Sequence, residues 1–123
     1  MNRDWTEAIP FGKDPSDPAG IGREHFETDE AFNAILEKAR EKTFGGDWCE
    51  WDQDVGDFQI SAWEFECGRQ YWVVRTRWTR ALRAVCWKVF DNAEDARAQF
   101  DAWVKRASAF VAEYGDDIGD DQL

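Results

Sequence analysis

A chain of 123 residues with 26 acidic against 15 basic side chains, net charge −11, has room for one domain and lacks the cationic excess that phosphate attraction requires. Direct nucleic-acid binding and adhesion to an anionic membrane are therefore not expected, whereas solubility and rapid encounter with a basic partner are. Eight Trp and nine Phe exceed what a core of this size needs, and aromatic rings dominate binding hot spots as well as cores.

Cys49, Cys67 and Cys86 are odd in number and widely spaced, so no disulfide framework is expected and a reducing cytoplasm is the natural compartment. The first residues lack the apolar core of a signal peptide, and no apolar run reaches the length of a membrane span.

In chain order, residues 1–27 read as an arm. Pro10, Pro15 and Pro18 with Gly12, Gly20 and Gly22 interrupt regular structure, while Trp5, Ile9 and Phe11 can pin the arm to the body. A single domain is expected over residues 28–115. It opens with a helix from about Thr28 to Thr43, capped by Thr28 or Asp29 and stopped by Gly45-Gly46. Ala31, Phe32, Ile35, Leu36 and Ala39 give that helix one apolar face.

Residues 47–66 then carry seven acids and no base, and residues 67–90 six bases and no acid. Adjacent strands that pair acid with base are the expectation. Ser61, Trp63, Phe65 and Cys67 alternate along one strand, Trp72, Val74 and Thr76 along the next. A two-residue turn at Gly68-Arg69 sets Phe65 opposite Trp72, Trp63 opposite Val74, and Glu64 diagonal to Arg75. A third strand is expected from about Leu82 to Phe90. The stretch from Arg80 to Trp87 also suits a helix, but Val85, Trp87, Val89 and Phe90 favour a strand. Trp48 to Asp52 can add a short edge strand.

Asn92 caps a second, longer helix that Gly115 ends. Its stripe of Ala93, Ala96, Phe100, Trp103, Ala107, Phe110, Val111 and Tyr114 is that of a core helix. Residues 116–123 form an acidic tail. The expected fold is α+β: an antiparallel sheet of three to four strands, one helix before it and one long helix after it, both packed on one face. The other face, carrying Arg75, Arg77, Glu64, Glu66 and Trp78, is expected to be at least partly open.

Catalytic motifs are hard to find. The lone histidine, His25, has no local cysteine partner, and it reads as a surface residue near the first helix. Asp52-Gln-Asp-Val-Gly-Asp57 places oxygen ligands at alternate positions as a calcium loop does. Yet its glycine precedes the third acid, and Trp63 stands where the bidentate Glu belongs. Zinc lacks its Cys and His clusters, and Gly45-Gly46 ends a helix instead of opening one over a phosphate. Neither catalysis, a cofactor nor a metal is expected.

What remains is segregated charge mixed with aromatics. Trp48, Glu50, Trp51, Asp52, Asp54 and Asp57 interleave two anchors with four carboxylates, a composition suited to a basic protein surface with apolar pockets. Such a partner would be a nucleic-acid-binding protein, whose phosphate channel the acids mimic, or a toxic enzyme. In size, acidity and lack of catalytic motif the chain resembles phage anti-restriction and anti-CRISPR inhibitors and toxin-immunity proteins. That likeness rests on no family motif. The alternatives are an assembly subunit that forms a homodimer through the open sheet face, and a small enzyme.

Overall fold

The computed structural model describes residues 11, 14–45, 48–79 and 83–114, with the backbone alone at 83–85 and 114. Helix α1 (Asp29–Phe44) precedes strands β1 (Trp51–Val55), β2 (Phe58–Glu66), β3 (Gln70–Trp78) and β4 (Arg83–Phe90), and helix α2 (Ala93–Tyr114) follows them. The strands form one antiparallel sheet in the order β1-β2-β3-β4, so the fold is α+β with one helix before the sheet and one long helix after it. The N-terminal part of the arm with Trp5 and Ile9, the connection at Arg80, the stop at Gly115 and the acidic tail lie outside the described residues.

Both helix starts are local chemistry. Thr28 Oγ1 accepts the Ala31 N–H at 3.1 Å and Asn92 Oδ1 accepts the Asp95 N–H at 2.8 Å, each satisfying one of the orphan donors of a first turn. Along α1, Ile35, Ala39 and Thr43 are buried at four-residue spacing, Phe32 and Leu36 are half-buried beside them, and Ala31 is exposed. The buried stripe of α2 is Ala96, Gln99, Phe100, Trp103 and Ala107, flanked by half-buried Phe110 and Val111; Ala93 is exposed.

The helices lie on opposite faces of the sheet, which corrects the expectation that both share one. Phe58, Ile60 and Ala62 of β2 pack with Val74, Trp78 and Phe90 against α2. Trp63 and Phe65 pack with Tyr71, Val73 and Val89 against α1. Two apolar clusters therefore sandwich the strands, and β2 is buried on both of its faces, at Phe58, from Ile60 to Trp63 and at Phe65.

Coverage of both faces also explains why alternation along one face chose the wrong register. The β2–β3 pairs are Trp63↔Val73, Glu64↔Trp72 and Phe65↔Tyr71, one residue away from the expected pairing. A one-residue slip exchanges the two faces, and here both exchanged sets are apolar, so alternation alone cannot discriminate. Three residues, Cys67, Gly68 and Arg69, connect Glu66 to Gln70 in place of the expected two-residue turn. Gly68 takes φ +80°, where a side chain is strained, and the Cys67 N–H donates to Arg69 O at 2.9 Å.

The register also separates charges expected to meet. Glu64 points to the α2 side and Arg75 to the α1 side, so they form no pair. Arg75 and Trp78, expected on an open face, are both buried, and they sit on opposite sides.

The described part of the arm is tied to the body. Phe11 is buried in the α2-side cluster, edge-on to Phe58 at 5.3 Å and to Trp103 at 6.2 Å between ring centres. Gly20, at φ +74°, lets the chain approach β4 so closely that a Cβ there would stand 3.0 Å from Val89 O, and the next residue, Ile21, donates its N–H to that oxygen. Between them a polar chain crosses from β4 through α2 to the arm. Lys88 Nζ donates to Gln99 Oε1 at 3.0 Å, Gln99 Nε2 to Asp17 Oδ2 at 3.2 Å, and Arg106 Nη1 to the same oxygen at 2.8 Å. Arg106 also reaches Asp14, whose carboxyl is held below its ordinary pKa chiefly by hydrogen bonds from Ser16.

The Asp17 side chain is only 5% exposed, so removing its guanidinium partner leaves a buried carboxylate to the neutral amide of Gln99. Arg106→Ala should lower unfolding stability by about 2 kcal/mol in urea titrations, below the ~3–5 kcal/mol of a fully buried pair because Arg106 remains partly exposed. An unchanged midpoint would mean that the arm is not held by this network.

Candidate partner-binding surface

The β1–β2 hairpin closes through the two residues Gly56-Asp57, and Gly56 takes φ +57°. The acid-rich stretch Asp52–Asp57, with its calcium-loop-like spacing, is thus an edge strand and its turn. Among the described residues no group of three or more His, Cys, Asp or Glu could hold a metal ion.

Alternation along β1 divides the six candidate residues. Trp51 turns to the α2 side, where it stacks on Trp72 at 4.5 Å and 14°, meets Phe100 edge-on at 5.8 Å, and lies under the Arg97 guanidinium at 4.9 Å. It is half-buried and belongs to the packing of the sheet edge. Asp52 and Asp54 turn to the α1 side, opposite Ser61 and Gln59, and both are exposed. Ser61 Oγ donates to Asp52 Oδ1 at 2.9 Å. Glu50 is exposed and its N–H donates to Ala62 O at 2.7 Å, which anchors the start of the strand. Asp57 is half-buried at the turn, where its carbonyl accepts from both the N–H and the hydroxyl of Thr79. Trp48 is 96% exposed. The structure thus displays Trp48, Glu50, Asp52 and Asp54 and folds Trp51 and Asp57 into the hairpin.

The paired rows of the sheet show why the acids stay available. Asp52 faces Ser61, Ser61 faces Arg75, and Arg75 faces Trp87, all on the α1 side. One row further on, Asp54 faces Gln59 and Gln59 faces Arg77. An uncharged residue of β2 therefore separates each acid of β1 from the base of β3. On the hairpin side, Glu64 and Glu66 face Trp72 and Gln70. Among the described residues Glu50, Asp52, Asp54, Glu64 and Glu66 make no salt bridge.

Arg75 is occupied differently. Only 5% exposed, it donates from Nη1 to Thr43 O at 2.6 Å, at the end of α1, and its guanidinium lies 4.7 Å from the centre of the Trp63 ring. Cationic capping of a helix C-terminus complements the dipole there. Burial lowers the pKa of Arg75, and neighbouring Arg77 adds to that; the guanidinium stays charged regardless.

His25 is exposed, with Nδ1 accepting the Gly22 N–H at 2.9 Å. Burial pushes the thiols of Cys49 and Cys86 up, and Asp52 raises Cys49 further. Two residues that matter to the surface escaped the sequence reading. Phe44 and Trp87 are 64% and 40% exposed, and with Trp48 they are the exposed large apolar side chains among the described residues. Phe44 stands one residue off the Ile35–Ala39–Thr43 stripe, a legible sign that it points elsewhere. Trp87 has the parity of buried Val89, and only the end point of α1 tells them apart.

Compared with protein-family models, with curated proteins and with solved structures, the chain matches none.

The raised thiols have a direct consequence. A raised pKa leaves less thiolate at a given pH, so Cys49 and Cys86 should react with a disulfide reagent more slowly in the folded protein than in urea. Their reactivity should rise with pH about a midpoint above the roughly 8.5 of a free thiol. A midpoint at or below that value for either cysteine would contradict the packing described.

Proposed function

We propose that the chain is a non-enzymatic acidic interaction protein that occupies a basic surface of a protein partner, with Trp48, Glu50, Asp52 and Asp54 at the centre of contact. The carrying observation is the sheet register, which leaves the carboxylates of β1 facing uncharged neighbours while Trp48 projects beside them. An acid-rich segment that only neutralised the basic strand would face that strand's arginines. These acids face Ser61 and Gln59, so their charge remains free to attract a partner. Exposed Trp48 supplies an apolar anchor of the kind that carries binding energy at the centre of an interface.

A partner of this description is a nucleic-acid-binding protein or a toxic enzyme with a cationic cleft, and occupancy of the cleft would inhibit it. Anti-restriction, anti-CRISPR and toxin-immunity proteins act in this manner, and the present chain shares their acidity and small size. Asp57 and Trp51 enter the proposal as supports of the hairpin that presents the acids.

Affinity capture from lysate at low and moderate salt tests the reading. A stoichiometric basic protein should be retained at low salt and lost at moderate salt, because screening weakens exposed charge pairs. The triple variant Glu50→Lys, Asp52→Lys, Asp54→Lys should lose that protein while keeping the circular dichroism of the parent. Retention of the same partner by the folded triple variant would show that the acids of β1 do not carry binding.

A further inference from the structure

Strand β1 is one edge of the sheet, and among the described residues no strand lies beyond it. Register decides which of its backbone groups are free. The hairpin closes on the pair Val55↔Phe58, and Ala62 O accepts the Glu50 N–H, so the even-numbered residues of β2 turn their backbone toward β1. Their partners Trp51, Gln53 and Val55 use their own N–H and C=O groups within the hairpin. The alternate residues, Asp52 and Asp54, aim theirs away from the sheet. Among the described residues no backbone group meets them, and Asp54 O takes only the side-chain amide of Gln53, at 3.3 Å. The opposite edge differs, because the arm runs beside β4 and Ile21 donates its N–H to Val89 O.

A free edge takes an extended segment as an additional strand, through main-chain hydrogen bonds and alternate side chains. The two free residues also fix what can pair with them. In an antiparallel pairing, whatever bonds to the backbone of Asp52 and Asp54 sets its own side chains directly opposite those carboxylates, about 5.5 Å away between Cα atoms. A second copy of β1 would bring its own free residues, again Asp52 and Asp54, and carboxylate would face carboxylate. A lysine or arginine at those places is attracted instead. Arg75 and Arg77 lie two strands away in the same rows, about 10 Å off, and Arg75 is turned to Thr43 O. Ser61 and Gln59 donate to Asp52 as neutral groups, which leaves its charge in place. On the α2 side the intervening residues of an added strand meet half-buried Trp51 and Val55, at the margin of the apolar cluster.

We infer that the free edge of β1 accepts an extended segment of a protein partner as an additional antiparallel strand. Lys or Arg residues of that segment stand opposite Asp52 and Asp54, and its alternate, apolar residues lie beside Trp51 and Val55. The inference rests on the acidic-binder reading above and adds the mode of binding. Main-chain bonds to Asp52 and Asp54 supply the orientation, and their carboxylates select the residues opposite.

The test uses the full chain labelled with ¹⁵N and three probes: a peptide of alternating Lys and Val, and the same peptide N-methylated at every Lys or at every Val. Residues opposite Asp52 and Asp54 bond through their own N–H groups, so methylation at Lys should weaken binding about tenfold or more. Methylation at Val, whose N–H points away from β1, should leave the affinity within about twofold. The parent peptide should also slow hydrogen exchange of the Asp52 and Asp54 amides about tenfold or more. Equal affinity of the two methylated peptides would overturn strand addition, and shifts that persist at Glu50–Asp54 with both would leave the acidic-binder reading standing. Absence of shifts with all three peptides at low ionic strength would sink both. Exchange protection that appears with protein concentration alone would place a second copy on the edge and overturn the inference.

Discussion

The pairing of Trp63 with Val73 is the constraint on which the rest of the structure depends. It sends Trp63, Phe65, Tyr71 and Val73 to one helix and Phe58, Ile60, Ala62 and Val74 to the other, so each helix finds a complete apolar patch. Moving the strands by one residue would set members of one patch beside members of the other and strip both helices of partners. The β1–β2 pairing sets Asp52 and Asp54 opposite Ser61 and Gln59, and the Trp63–Val73 pairing makes Arg75 and Arg77 the next members of those rows, with Arg75 where it can hold the end of α1.

Element identity was legible because it is local. The Thr28 and Asn92 caps, the four-residue stripes of both helices and the β-forming run before Asn92 each depend on neighbours within a few positions. Register was not legible, because Trp63 and Ala62 are apolar neighbours on opposite faces and alternation offers no choice between them. The side to which Trp51 turns was not legible: the ring stacks on Trp72 and under Arg97, contacts 21 and 46 residues away along the chain. The surface itself was half legible. Its acids were visible as a run, whereas Trp87 depends on where the end of α1 lies over the sheet, a placement marked by Arg75 reaching Thr43 across 32 residues.

Stability and display are coupled through this arrangement. The arm contributes Phe11 to the α2-side cluster and Asp17 to the polar chain through Gln99, so that side is covered by both helix and arm. On the α1 side the helix ends at Arg75, and the sheet beyond it presents polar and charged residues with aromatic side chains at the rim.

Cross-strand nuclear Overhauser effects between β2 and β3 test this account most directly. They should join the backbones of Trp63 with Val73 and Glu64 with Trp72, and side-chain effects should link Trp63 to Ile35 but Ala62 to the α2 cluster. Effects joining Trp63 with Val74 and Phe65 with Trp72, or placing Trp63 against α2, would contradict the register and, with it, the place of Arg75 and Arg77 in the rows of Asp52 and Asp54 from which the proposed binding surface is argued.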